Sequence, residues 1–90
     1  MSIDAEVVKT EYKAGRQLIV ELKINGVKYY SSAATQTQLR VSPTTLRKWR
    51  MEDSQRQQAT PIAYKLNGQY YYSQFFINEH SLDKRLEAVH

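Results

Sequence analysis

From Gln17 onward apolar and polar positions alternate: Leu18, Val20 and Leu22 are set against Ile19, Glu21 and Lys23. A period of two is that of a strand with one buried face. The run ends at Asn25-Gly26, a pair suited to the positive φ angles of a two-residue hairpin turn, and residues 27–30 form the return strand. The same grammar recurs 42 residues later. Lys23-Ile24-Asn25-Gly26-Val27-Lys28-Tyr29-Tyr30-Ser31 is echoed by Lys65-Leu66-Asn67-Gly68-Gln69-Tyr70-Tyr71-Tyr72-Ser73. Each copy predicts a hairpin ending at a serine able to cap a helix. The echo is either a duplication or hairpin chemistry reaching one solution twice. Residues 1–16 carry charges of alternating sign and few large apolar side chains. They read as a lead-in or a first edge strand.

Between the hairpins the period changes. Ser31 or Ser32 can cap a short polar helix through Leu39, and Arg40-Val41 makes a tight turn. Ser42-Pro43 opens a second helix: the serine oxygen accepts an unpaired N–H, and proline at the first helical position loses no bond. That helix runs at least through Met51, and residues 52–60 form a polar connection. After the second hairpin, residues 61–73, Phe75-Phe76-Ile77 forms an apolar cluster. Ser81 can cap a last helix with Leu82, Leu86 and Val89 on one stripe. The plan is hairpin, two helices, hairpin, helix: one α+β domain over residues 17–90.

Composition narrows the chemistry. The chain has 90 residues and no cysteine, which removes disulfides, thiolate metal sites and cysteine nucleophiles. No apolar run exceeds three residues, so no membrane helix is expected, and the first residues do not resemble a secretory signal. An intracellular setting, cytoplasm or nucleoid, is the expectation. The net charge of +4 is uneven. Residues 1–30 hold five bases and four acids, residues 31–65 six and two, and residues 66–90 two and three. The excess sits where the two helices and second hairpin lie. Cations of one sign on one structural unit are what phosphate binding needs, since they release counterions condensed on nucleic acid. An ordinary solvated surface is the plainer alternative.

Helical geometry places Leu46 and Trp49 on the core side of the second helix and Thr44, Arg47, Lys48 and Met51 outward. Arg50 lies at the margin, where its stem can cover the core while its guanidinium reaches a phosphate. Short hydroxyl and long cationic side chains suit the base edges of a major groove. The run Leu39-Arg40-Val41-Ser42-Pro43-Thr44-Thr45-Leu46-Arg47-Lys48-Trp49 resembles the L-G-V-S-x-x-T-L-R-x-W core of excisionase-like and MerR-type winged helix-turn-helix domains. The segment from Pro61 to Ser73 is similar to that family's wing. The resemblance covers residues 31–78, with the helix-turn-helix at 31–52. It departs in three places: Arg40 replaces the usual turn glycine, Gln36 a small apolar residue, and the 52–60 connection is long. A weaker likeness is to short DNA-binding repeats beside homing nucleases.

The resemblance implies a small winged helix-turn-helix with an additional N-terminal β-hairpin, binding double-stranded DNA as a regulator or recombination factor. Thr44, Arg47 and Lys48 would probe base edges, and Arg40, Arg50 and Arg56 would hold phosphates. Lys65, Asn67, Gln69 and Tyr71 would form the wing, with Lys65, Gln69 and Tyr71 on its outer face. Arg40 could equally cap the preceding helix. One module reads few bases, so a homodimer or cooperative array is expected. The first hairpin could be a second wing or a dimer edge. The rival is a protein-interaction module whose Tyr-rich hairpins add strands to a partner. Catalysis is not expected. The two histidines, His80 and His90, have no metal-ligand spacing, no Ser/His/acid arrangement is legible, and no glycine-rich phosphate loop is present. No cofactor, membrane or small-molecule substrate is implied.

Overall fold

A computed structural model of the protein describes residues 4–55 and 60–85, the last four as backbone only. The elements are β1 (Ala5–Lys13), β2 (Arg16–Ile24), β3 (Val27–Ser31), α1 (Ser32–Leu39), α2 (Pro43–Asp53), β4 (Ala63–Leu66), β5 (Gln69–Ser73) and α3 (Gln74–Arg85). The strands form one antiparallel sheet in the order β1-β2-β3-β5-β4, so the protein is a small α+β fold, with three helices among the described residues. No helix among the described residues is long and apolar enough to cross a membrane. Helix α3 starts at Gln74 and runs through Ser81, so Ser81 is not the cap expected from the sequence; the stripe expected at Leu82, Leu86 and Val89 lies outside the described side chains.

Residues 5–13 are a nine-residue edge strand because Ala14-Gly15 is a two-residue turn, with φ of 52° and 75°. Asn25-Gly26 and Asn67-Gly68 have the same signature, at 51° and 82° and at 51° and 79°. All three are the left-handed pairs that match the right-handed twist of flanking strands. Alanine is not the residue such a turn advertises, which is why the first strand is harder to read than the others.

The two echoed segments are structurally equivalent. Glu21 faces Tyr30 across β2–β3 as Ala63 faces Tyr72 across β4–β5, and the next three pairs match with the same offset. The two hairpins then join edge to edge through Tyr29–Ser73, Tyr30–Tyr72 and Ser31–Tyr71. Tyr30 thus pairs with its own counterpart, and a local pseudo-two-fold axis passes between them. On each side a serine ends the hairpin and caps the following helix. Ser31 Oγ accepts from the Ala34 amide at 3.2 Å, and Ser73 Oγ accepts from the Phe76 amide at 3.1 Å. The second hairpin is therefore part of the main sheet from its base, with only its tip projecting.

Opposed residues share a sheet face, and the register sorts the core into two. One face carries Tyr30, Tyr72, Tyr70 and Ala63 against the helices, where Leu39, Leu46, Phe76 and Ile77 are buried. Phe76 and Ile77 are therefore core, whereas Phe75 beside them is exposed. The other face gathers Leu22, Ile24, Tyr29 and Tyr71, with Tyr64 packed edge-to-face on Tyr29 at 5.1 Å. Beside this second cluster β1 and β4 flank one groove of about 280 Å³, lined by Ala5, Val7, Leu22, Ile24, Tyr64 and Leu66 together with the charged Glu6 and Lys65. The Tyr29 hydroxyl donates to the Pro61 carbonyl at 2.8 Å, and burial pushes its pKa up to about 12.

Candidate nucleic-acid interface

Helix α2 begins as its sequence requires. Ser42 is the N-cap, its Oγ accepting from the Thr45 amide at 3.2 Å, and Pro43 occupies the first turn. Ser42 also donates to the Thr45 hydroxyl at 3.1 Å, which ties that threonine to the cap. The turn into α2 is made by Arg40, whose φ of 55° and ψ of 49° are left-handed, and whose amide donates to the Gln36 carbonyl. The Val41 amide donates to the same carbonyl at 3.2 Å. Arg40 thus ends α1 with its backbone while its side chain remains exposed. The turn is tight, and an arginine sits where glycine would be least strained.

One face of α2 is fixed and the other is open. Leu46 and Asp53 are buried, seven residues apart on one stripe, with Trp49 half-buried between them. Asp53 Oδ2 lies 2.9 Å from His80 Nε2 of α3, and both side chains are buried. The Trp49 ring stacks on the His80 ring at 4.2 Å with 6° between planes. Phe76 packs against His80 at a tilt, 58° between planes with the centroids 4.5 Å apart. Sequence reasoning placed Asp53 in a polar connection and found no partner for His80. The signal was the spacing Leu46, Trp49, Asp53, which continues the buried stripe through one further turn. Opposite this stripe Thr44, Arg47, Lys48 and Met51 are exposed, as helical geometry requires.

Arg50 joins α2 to the hairpin. It is half-buried, its guanidinium carbon 3.8 Å from the centroid of the Tyr70 ring, and Nη1 donates to the Tyr72 hydroxyl at 3.2 Å. Lys65 Nζ lies 5.4 Å from the same Tyr70 ring. Two cations thus share one aromatic ring where α2 meets β4 and β5. Arg50 faces inward to β5 rather than standing free, because the ring and hydroxyl beneath it offer stronger partners than water.

The expected wing face needs correction. In a two-residue hairpin Leu66 pairs with Gln69, Lys65 with Tyr70 and Tyr64 with Tyr71. Lys65 therefore lies on the helix side, while Gln69 and Tyr71 lie on the opposite side. Tyr71 is 5% exposed, inside the second apolar cluster, and burial raises its hydroxyl pKa. It cannot be an outer wing residue. Lys65, Asn67 and Gln69 are exposed. Tyr70, which the sequence reading passed over, is the residue beside Lys65, and counting outward from Asn67-Gly68 locates it. Arg56 lies outside the described residues. Of the seven tyrosines only Tyr12 is exposed, at 75%, so the hairpin aromatics are spent on the core rather than on a binding surface.

The candidate interface is thus α2, with Thr44, Arg47, Lys48 and Met51 outward, flanked by Arg40 before it and by Arg50, Lys65 and the Asn67-Gly68 tip beside it. No family model matches the chain, and neither a curated protein nor a solved structure matches it.

Proposed function

We propose that the protein is a winged helix-turn-helix DNA-binding protein that acts as a regulator or recombination factor on double-stranded DNA. Helix α2 enters the major groove, and the β4–β5 tip lies along the adjacent minor groove. The carrying observation is the division of α2: one face is locked by Leu46, Trp49 and Asp53, and the other presents Thr44, Arg47 and Lys48 exposed. A helix so held can press its outer face into a groove without losing its seat. Arg47 and Lys48 reach base edges or flanking phosphates, Thr44 accepts or donates at a base edge, and exposed Met51 extends the face with an apolar contact. Arg40 and Lys65 hold phosphates on either side. Arg50 acts through Tyr70 and Tyr72, keeping helix and hairpin at one angle.

The test is the double substitution Arg47→Ala and Lys48→Ala. Duplex affinity should fall roughly 10–100-fold, with the melting temperature unchanged because neither side chain is buried. An unchanged affinity would contradict the proposed role of α2.

A further inference from the structure

Strand β1 is an edge of the sheet. Among the described residues it pairs only with β2, and all nine of its residues are exposed, among them Val7 at 50%, Val8 at 47% and Tyr12 at 75%. Open edges are templates for another strand, and proteins usually blunt them with lysine or a bulge. Here the irregularity is confined to the stretch between Val7 and Thr10, where the β1–β2 register skips Val8, and from Thr10 to Lys13 the pairing is regular. The lysines are interleaved with glutamates: Glu6, Lys9, Glu11, Lys13.

We propose that β1 is a homodimer interface, two copies pairing antiparallel about a two-fold axis at Thr10. The occupant follows from charge. About Thr10, Lys9 of one copy faces Glu11 of the other, twice by symmetry, and Val8 faces Tyr12, also twice. No like charges meet. Centring the axis on Lys9 or Glu11 instead would set two identical charges opposite each other, which is destabilising. The backbone is compatible with this centre, and the charges choose it over Lys9 and Glu11. Lys13 and Arg16 flank a two-residue turn and form its hydrogen-bonded pair, so the ladder alternates inward at Lys13 and Glu11 and outward at Tyr12 and Thr10. The outward amide and carbonyl of Thr10 are those that a Thr10–Thr10 pair uses. Within the chain Thr10 Oγ1 accepts from Gln17 Nε2 at 3.2 Å, on the face that also holds Tyr12. The two five-stranded sheets become one continuous sheet. A single strand pair is a small interface, so dissociation is expected in the micromolar range or weaker. This pairing needs no DNA and stands independently of the DNA-binding reading.

The experiment is sedimentation equilibrium of the full chain without DNA over a wide concentration range. A monomer–dimer equilibrium is expected. Glu11→Lys places two lysine pairs in the interface and should weaken dimerisation about tenfold, as should Lys9→Glu through two glutamate pairs. Mixed together, the two variants face each other with opposite charges only, and a heterodimer should form with affinity at or above that of the parent. Thr10→Pro removes an outward amide that β2 does not use, so it should abolish dimerisation while circular dichroism stays that of the parent. A chain that stays monomeric up to millimolar concentration overturns the proposal. So does dimerisation that E11K leaves unchanged, or E11K and K9E chains that fail to pair on mixing. Salt-insensitive binding of an unrelated strand-forming peptide to β1 without self-association would assign the edge to another protein instead.

Discussion

Arg40 is the residue at which backbone and side chain want different things. Its left-handed conformation costs about 1 kcal/mol relative to glycine, partly offset by glycine's greater freedom in the unfolded chain. Arg40→Gly should therefore leave stability unchanged or raise it by up to about 1 kcal/mol, while duplex affinity falls because a phosphate contact is lost. A thermal melt beside a binding isotherm checks both. A marked drop in melting temperature would show that the arginine serves the fold. The sequence exposed the tension here, since a glycine is usual at this turn, but it could not choose between cap and phosphate contact. In the structure the backbone makes the cap and the guanidinium remains exposed. Tyr71 and Lys65 were misread for a simpler reason. Alternation along one strand does not extend across the turn, where the pairing sets Lys65 beside Tyr70.

At the scale of elements, the hairpins, the caps at Ser31, Ser42 and Ser73 and the exposed face of α2 are legible because each depends on neighbours within four residues. The joining of the two hairpins is not. Both tyrosine-rich strands look alike, and nothing local says that Tyr30 will pair with Tyr72. The pairing explains the echo: each copy supplies half of a locally symmetric sheet and one capped helix. Ser31→Ala and Ser73→Ala should each cost about 1 kcal/mol, measured by denaturant unfolding. His80 was equally unreadable, because its partner Asp53 lies on another helix. His80→Ala leaves a buried carboxylate without this partner and opens the stack on Trp49. A loss of roughly 2–4 kcal/mol is expected, seen as a lower unfolding midpoint. A loss below about 0.5 kcal/mol would mean that the pair does not anchor α2.

At the scale of the whole molecule, two features set its response to solution conditions. The first is the tyrosine core. The folded Tyr29 hydroxyl titrates at about 12 against an ordinary value of 10.0, because burial opposes the phenolate. Its folded pKa is raised, so the stability it contributes is full below about pH 10 and is lost as the pH climbs toward 12. Tyr30 and Tyr71 are shifted in the same direction, each mainly by burial. Unfolding followed by circular dichroism between pH 9 and pH 12 (roughly the window set by these tyrosines) should show a falling midpoint. Tyr29→Phe should flatten that fall.

The second feature is the basic middle of the chain, net +4 over residues 31–65 against +1 before it and −1 after. Arg40, Arg47, Lys48 and Lys65 are exposed, and the proposed function makes them a surface for a polyanion. The most direct test is duplex DNA affinity as a function of salt. Arg40, Arg47, Lys48 and Lys65 neutralising about four phosphates per chain predict that log K falls with log salt at a slope of about −3 to −4, reduced by about one unit in Arg40→Gly. An affinity independent of salt, or no binding at low salt, would contradict the account.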